Sequence, residues 1–154
     1  ILNYQLKLNI FQIAQKNKIW LGEKETLLNN QITIGILGSG FLGTTVGNYL
    51  LKMNYKVIGF KKNKSKKTSK FMIYTKERIK KFIKDSNIIV SILPHTKETE
   101  NFINKDFLSK MKKNSLLINI GRGASLNEKD LILHLKKNKN FYASLDVFKK
   151  VAFT

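Results

Sequence analysis

Three glycines at a fixed spacing are the residues of this chain that point most directly to chemistry. Gly38, Gly40 and Gly43 form the pattern G-x-G-x-x-G between an alternating apolar segment and an amphipathic stretch. In that pattern the first glycine makes a tight turn, the second lets the backbone approach a pyrophosphate, and the third lets a helix pack on a strand. Phe41 and Leu42 would begin a helix whose free N–H groups face the phosphates. The segment therefore predicts a dinucleotide-binding strand, turn and helix.

A basic cluster follows the next apolar segment. Lys61 lies 18 residues after the last glycine of the motif, Lys62 and Lys64 stand beside it, and no carboxylate occurs between Phe60 and Tyr74. An acid at this distance hydrogen-bonds the ribose 2′-hydroxyl of NAD, whereas a basic residue accommodates the 2′-phosphate of NADP. The cluster favours NADP as the cofactor, and NAD is left open as the alternative.

Alternating strand and helix patterns must position these residues. Strands are predicted over 31–37, 56–60, 88–93, 116–120 and 142–148, with a short apolar piece at 71–74. Helices are predicted after the glycine turn, around Ile79, Phe82 and Ile83, after a cap at Asn104, and after a capping box at Ser125–Glu128 that would bury Leu131, Ile132 and Leu135. The alternation predicts an α/β fold, a Rossmann-type doubly wound parallel sheet of five or six strands.

Length and composition limit the classes of function that this chain can have. With 154 residues, 42% of them hydrophobic, the chain has room for one domain with a real core. No apolar run is long enough to cross a bilayer, and the absence of cysteine excludes disulfides and thiolate metal sites. His95 and His134 lack the spacing of metal ligands. We expect a soluble cytoplasmic protein with no metal and no membrane partner.

The net charge of +19 raises the question of a nucleic-acid partner. Only Arg78 and Arg122 are arginine, and the other basic residues are lysines in an Ile- and Asn-rich chain, as in proteins from A+T-rich genomes. Base readout and bidentate phosphate contacts favour arginine. We therefore expect no nucleic-acid partner, with a basic nucleic-acid-binding protein as the less favoured alternative.

The first twenty residues read as one continuous helix that begins in mid-element. Its predicted buried stripe consists of Tyr4, Leu8, Phe11, Ile13 and Ile19. We expect residues 1–24 to be an interdomain helix and linker left from the connection to a substrate domain. Residues 25–154 would be the dinucleotide-binding domain, and both ends of the chain look truncated.

Four ordered segments carry a resemblance to a known family. They are the glycine motif, 92–99 with the sequence ILPHTKET, 117–123 with LINIGRG, and 144–148 with SLDVF. In this order and spacing they resemble the NAD(P)-binding domain of D-isomer-specific 2-hydroxyacid dehydrogenases. Within that family the chain is most similar to the glyoxylate/hydroxypyruvate reductase A branch, which also has a long helix and a tryptophan, here Trp20, before the first strand.

The resemblance implies a reversible hydride transfer between a nicotinamide and a short 2-oxo acid such as glyoxylate or hydroxypyruvate. It implies that Arg122 is catalytic, because it matches the arginine that binds the carboxylate and carbonyl oxygen of the substrate. Asp146 matches the residue that contacts the nicotinamide carboxamide. Other positions implied to contact the cofactor are Leu93, Pro94, Thr96, Asn119 and Ile120. The family is commonly dimeric, so a homodimer is a further expectation.

The resemblance stops short of a complete active site. The family's catalytic histidine is oriented by a glutamate whose position, five residues after Asp146, is occupied here by Val151, and neither His95 nor His134 matches the histidine. We therefore expect little turnover by this chain alone. The alternatives to a reductase are a non-catalytic nucleotide-binding module or a decayed remnant.

Overall fold

The computed structural model describes residues 1–22, 26–62 and 69–149. Within these ranges six strands form one parallel sheet in the order β3-β2-β1-β4-β5-β6. The strands are β1 (Thr33–Leu37), β2 (Lys56–Phe60), β3 (Met72–Tyr74), β4 (Ile88–Ser91), β5 (Leu116–Asn119) and β6 (Tyr142–Leu145). The helices are α1 (Leu2–Gln5), α2 (Leu8–Lys16), α3 (Phe41–Lys52), α4 (Ile79–Asp85), α5 (Lys105–Ser109) and α6 (Glu128–Lys137). The predicted Rossmann-type parallel sheet is confirmed.

The carboxyl ends of the central strands meet at one edge of the sheet. Leu37 at the end of β1 is paired with Phe60 of β2 and with Ser91 of β4, and Ser91 is paired with Asn119 of β5. The chain runs outward from β1 to β3 on one side and from β4 to β6 on the other. Such a change of direction leaves a crevice at the carboxyl ends, where open α/β sheets bind their ligands.

The sheet is covered on both faces by apolar side chains. Ile36 and Leu37 are neighbours on β1 and fully buried, yet they belong to different clusters, because successive side chains of a strand point to opposite faces. One cluster includes Phe82 of α4 and Leu131 of α6. The other includes Leu50 of α3. Burial on both faces explains the unbroken apolar sequence of the central strands.

The N-terminal segment is two short helices, so the prediction of one continuous helix over residues 1–20 is wrong. Lys7 lies between α1 and α2 with φ 55°, a left-handed conformation that a right-handed helix cannot pass through. The Tyr4 ring packs edge-on against Tyr142, and its hydroxyl donates to the carbonyl oxygen of Asn114 at 2.7 Å. These contacts attach α1 to the sheet.

The predicted buried stripe of this segment does not extend into its second half. Leu8, Ile13 and Ile19 are exposed, and Trp20 is 93% exposed. The turn at Lys7 redirects the chain, so that the apolar positions of the two helices no longer form a single line.

Helix α6 begins with a different cap from the predicted one. The side chain of Asn127 accepts a hydrogen bond from the Asp130 amide, whereas the Ser125 hydroxyl lies in a 3-10 turn and donates to the Arg122 carbonyl oxygen at 2.7 Å. The predicted capping box at Ser125–Glu128 is therefore wrong, because the serine is already used in the turn before the helix. Ile132, predicted to be buried with Leu131, is 51% exposed.

Four strands are shorter than the segments that predicted them. Strand β1 begins at Thr33 rather than at residue 31, and β5 ends at Asn119 rather than at Ile120. Strand β6 ends at Leu145 rather than Phe148, and β4 ends at Ser91 rather than Leu93. Both endpoints are paired with Asn119, the last residue of β5. Beyond Ser91 only the Ile92 amide still bonds to β1 among the described residues of this segment, donating to the Leu37 carbonyl oxygen at 2.8 Å. The residues that follow β4 and β6 form loops of the carboxyl edge.

Candidate functional site

The turn after β1 is built as the glycine spacing predicts. Gly38 has φ +105°, a conformation that L side chains rarely adopt, and its carbonyl oxygen accepts the Gly40 amide at 2.9 Å. The amides of Gly38 and Ser39 both donate to the carbonyl oxygen of Phe60 at the end of β2. The turn is thus fixed to the neighbouring strand.

The other two glycines of the motif differ in what surrounds them. A Cβ at Gly43 would overlap the carbonyl oxygen of Gly38 and lie 3.0 Å from the Ile36 Cγ2, so glycine is needed there for the contact between helix and strand. Within the described part of the chain, a Cβ at Gly40 would meet no atom within 4 Å. Since no atom of the described residues fills the space in front of Gly40, this backbone is open there to the close approach of a ligand.

The first turn of α3 offers backbone donors beside that space. Gly40 is the N-cap and provides no side-chain acceptor, and within the described residues the amides of Phe41, Leu42 and Gly43 have no backbone acceptor. The side chains of Phe41 and Leu42 are 85% and 65% exposed. A phosphate at this helix end would receive hydrogen bonds and the favourable field of the helix dipole. The glycine turn and helix therefore fit the pyrophosphate of a dinucleotide.

A cleft of about 490 Å³ lies at the carboxyl edge between the ends of β1, β2 and β4. Seven of the predicted cofactor-binding residues line it, namely Gly38, Gly40, Lys61, Lys62, Leu93, Pro94 and Thr96. Phe60, Ile92 and Phe102 add apolar surface. The predicted residues from three separate chain segments thus meet in one cleft of a size suited to a small ligand.

One wall of the cleft is a loop after β4 that is braced by two threonines. The Thr99 hydroxyl donates to the Pro94 carbonyl oxygen at 2.6 Å and accepts the Thr96 amide at 2.9 Å. The Thr99 amide donates back to the Thr96 hydroxyl at 3.2 Å. These bonds stabilise the loop and position Glu98, which the sequence analysis did not select.

The charges at the mouth of the cleft come from several segments. Lys61 and Lys62 follow β2, with the Lys61 amide donating to the Tyr74 carbonyl oxygen at 3.0 Å, and Lys76 follows β3. Glu98 reaches the same cleft from the loop after β4, and its carboxylate lies 2.5 Å from the Lys62 ammonium. Sequence reasoning missed Lys76, which only the strand order brings to the cleft. Glu98 lies in the segment 92–99 that was singled out, but its pairing with Lys62 depends on the strand order. Lys64 lies outside the described residues.

Arg122 lies farther along the same edge, in the turn after β5. It is exposed, it does not line the cleft, and its guanidinium donates to the carbonyl oxygen of Gly121 at 2.9 Å. The Asn119 side chain is fully buried, accepts the Gly121 amide and donates to the Arg122 carbonyl oxygen, each at 3.3 Å. Asn119 was predicted to contact the cofactor, but its amide group is engaged in holding the turn that presents Arg122.

Asp146 and Ile120 stand beside that turn. The Asp146 amide donates to the Asn119 carbonyl oxygen at 3.0 Å, and both the Asp146 and Ile120 side chains are exposed. The segment after β6 is held in place farther on, where the Lys149 amide donates to the Glu128 carboxylate at 2.7 Å. Arg122 and Asp146 thus share one end of the carboxyl edge, next to the cleft.

Neither of the two histidines lines the cleft. His95 is exposed in the loop after β4. His134, on α6, packs edge-on against Phe141, away from the carboxyl edge. Burial lowers the pKa of His134. The position of Val151 lies outside the described residues. In the described ranges, no three His, Asp or Glu side chains come together where they could hold a metal ion, and no helix there is long and apolar enough to cross a membrane.

Comparison with solved structures finds the same arrangement of strands and helices. The NADPH-dependent glyoxylate/hydroxypyruvate reductase of Sinorhizobium meliloti, solved with NADP and sulfate, superposes with a TM-score of 0.89 at 27% identity over 99% of this chain and 49% of that chain. A D-isomer specific 2-hydroxyacid dehydrogenase from Xanthobacter autotrophicus, solved with NADPH and MES, has a TM-score of 0.90 at 26% identity over 99% of this chain and 63% of that one.

Sequence comparison agrees with the structural one. The glyoxylate/hydroxypyruvate reductase A of Yersinia enterocolitica is 30% identical over 148 residues, which are 96% of this chain and 47% of the relative. The chain spans about half the length of the curated relatives it matches. The family model for the NAD binding domain of D-isomer specific 2-hydroxyacid dehydrogenases matches residues 1–153. With the glycine turn, the parallel sheet and the matched length in agreement, the chain belongs to the D-isomer specific 2-hydroxyacid dehydrogenase family, as an NAD-binding domain.

Proposed function

We propose that this domain binds NADP(H) in preference to NAD(H) and serves the reduction of a short 2-oxo acid, glyoxylate or hydroxypyruvate, to the 2-hydroxy acid. The observation that carries the proposal is the cluster of Lys61, Lys62 and Lys76 at the mouth of a cleft whose floor is the glycine turn. A 2′-phosphate is dianionic, and three ammonium groups at the end of β2 and β3 favour it over a hydroxyl.

Each part of the cofactor has residues of suitable chemistry. The amides at the start of α3 would hold the pyrophosphate, with Gly40 leaving room for it. The lysines would hold the 2′-phosphate, and Leu93 and Pro94 would supply apolar surface to the adenosine. When bound, the nicotinamide supplies a hydride acceptor and donor. The chain itself binds and orients.

Arg122 and Asp146 would bind the substrate and the nicotinamide, respectively. A guanidinium presents planar paired donors that match a carboxylate and an adjacent carbonyl oxygen, so Arg122 would bind and polarise a 2-oxo acid. Asp146 would accept a hydrogen bond from the nicotinamide carboxamide. The support is their position beside the cleft at the carboxyl edge, where this class of sheet binds ligands.

Fluorescence titration with NADPH and with NADH at moderate salt tests the cofactor preference. We expect NADPH to bind more tightly. The double variant Lys61→Asp, Lys62→Ala should lose about 1 to 3 kcal/mol of NADPH binding, the scale of charge-assisted hydrogen bonds, and little NADH binding. The matched control is Lys113→Asp, Lys139→Ala, two exposed lysines before β5 and β6 at the opposite edge of the sheet. Equal affinity of the wild-type chain for the two dinucleotides would refute the preference.

The substrate class is tested by equilibrium binding to the NADPH-loaded chain. Oxamate is a 2-oxo acid analogue that is not reduced, and we expect it to bind only when NADPH is present. The Arg122→Gln variant should bind NADPH normally and lose oxamate, because a neutral amide cannot replace the guanidinium as a bidentate donor. Oxamate binding that survives this change would remove Arg122 from the substrate site.

Assembly and location complete the proposal. We propose that the protein is a cytoplasmic homodimer and that residues 1–24 form the connection to a substrate domain. The exposed apolar side chains of Ile13, Ile19 and Trp20 support a contact surface in this segment. Light scattering on the purified chain and its Trp20→Ser variant tests the dimer, since a contact that includes the tryptophan should weaken on its removal.

A further inference from the structure

An ion pair spans the mouth of the cofactor cleft. The Lys62 ammonium, which follows β2, lies 2.5 Å from the carboxylate of Glu98 in the loop after β4. The two residues are 36 positions apart in the chain, and both line the cleft. Their side chains are 54% and 65% exposed, so the pair lies at the surface opening rather than in the floor.

The carboxylate of Glu98 is ionised and held in position. The hydrogen bond and charge of Lys62, with the charge of Lys76, lower the pKa of Glu98. The backbone of its loop is braced on either side by the bonds between Thr96 and Thr99. The mouth of the cleft therefore holds an anion of its own, in contact with a lysine of the proposed 2′-phosphate site.

We propose that Glu98 is a specificity-determining residue of the cleft, an internal carboxylate that competes with the 2′-phosphate of NADP for the ammonium of Lys62. The inference rests on the proposed preference for NADP. An exposed ion pair is weak and opens readily, so the phosphate can replace the carboxylate. This replacement still reduces what Lys62 contributes to NADP affinity, because its contact with Glu98 is lost when its contact with the phosphate forms.

The competition acts on only one of the two dinucleotides. The ribose 2′-hydroxyl of NAD carries no charge and does not displace a carboxylate from an ammonium. Glu98 should thus lower the affinity for NADPH and leave that for NADH nearly unchanged. Glu98 would therefore reduce the difference in affinity between NADPH and NADH that the lysines produce.

The Glu98→Gln variant tests the inference, with NADPH and NADH dissociation constants measured by fluorescence titration at fixed salt. We expect NADPH to bind about two- to fivefold more tightly, the range for release of an exposed ion pair, and NADH to change less than about twofold. The matched control is Glu100→Gln, which removes the same charge from the same loop but from a pair with Lys149, 3.1 Å away and outside the cleft.

A second background separates competition for Lys62 from general repulsion. In the Lys62→Gln chain the competed ammonium is absent, so the added Glu98→Gln change should alter NADPH affinity less than about twofold. The inference is overturned if Glu98→Gln leaves NADPH affinity unchanged or weakens it, if Glu100→Gln has the same effect, or if the full tightening persists without Lys62. A wild-type chain without NADPH preference overturns the proposed function as well, whereas a retained preference with an inert Glu98→Gln change overturns this inference alone.

Discussion

Valine substitutions at two glycines of the same turn should have opposite consequences. At Gly43 a Cβ would overlap the Gly38 carbonyl oxygen and lie 3.1 Å from its carbonyl carbon. That backbone cannot yield, because its oxygen already accepts the Gly40 amide and its amide donates to Phe60. Overpacking of this kind costs about 1 to 3 kcal/mol, and each kcal/mol lowers Tm by about 2 to 4 °C in a domain of this size.

At Gly40 a Cβ would meet no atom of the described residues within 4 Å, and the residue already has φ −76°. We expect Gly40→Val to fold with Tm within about 4 °C of wild type, since only a modest N-cap preference is lost. Its side chain would stand in front of the amides of α3. Excluding a phosphate from two of these charge-assisted bonds removes about 3 to 6 kcal/mol, which weakens NADPH and NADH alike by at least about 100-fold.

Differential scanning fluorimetry and fluorescence titration on the two variants decide between these outcomes. Gly43→Val should melt about 2 to 12 °C lower than wild type, and Gly40→Val should melt normally but bind neither dinucleotide. The reasoning is refuted if Gly40→Val keeps NADPH affinity within about tenfold of wild type, since the pyrophosphate would then lie elsewhere. The packing argument is refuted if Gly43→Val melts less than about 2 °C below wild type.

Three further changes test the elements around the site. Gly123→Ala should displace the segment after β6, because a Cβ there would overlap the Phe148 backbone and lie 2.5 Å from the Lys149 amide nitrogen. We expect the free energy of unfolding, measured in urea, to fall by about 1 to 3 kcal/mol, and an unchanged value would contradict this packing. Asn104→Ala removes the side chain that accepts the amides of residues 106 and 107 and should cost about 1 kcal/mol in the same assay, with Asn104→Asp as the conservative control. Burial lowers the pKa of His134, so the unfolded chain binds a proton more readily; stability should therefore fall as the pH drops below about 6.5, and a His134→Gln chain should show a flatter profile from pH 7 to 5.5.

The sequence alone determined the sheet and the glycine turn, because both are encoded over short windows. The apolar sequence of β1 indicates a buried strand, and the spacing of Gly38, Gly40 and Gly43 supplies the turn and the close approach of α3. Neither depends on a distant partner. The alternation of strands and helices along the chain implies a parallel sheet, and a parallel sheet brings the residues that follow its strands to one edge.

Local patterns were less informative where a distant contact decides the outcome. The first twenty residues have helical spacing throughout, yet Lys7 adopts a left-handed conformation and Tyr4 packs on Tyr142. The ends of β4 and β6 are set by the length of β5, to which they pair. A helix or strand pattern cannot report such endpoints, because they depend on neighbours far along the chain.

Only the tertiary structure decided the charge at the mouth of the cleft. The sequence near Lys61 and Lys62 contains no acid, and the pattern therefore predicted a purely basic site. The strand order brings Glu98 from the loop after β4 against Lys62 and adds Lys76 from the turn after β3. Electrostatic interactions act through space over a few ångströms, whereas a sequence pattern measures distance along the chain, so this carboxylate became visible only once the sheet had been assembled.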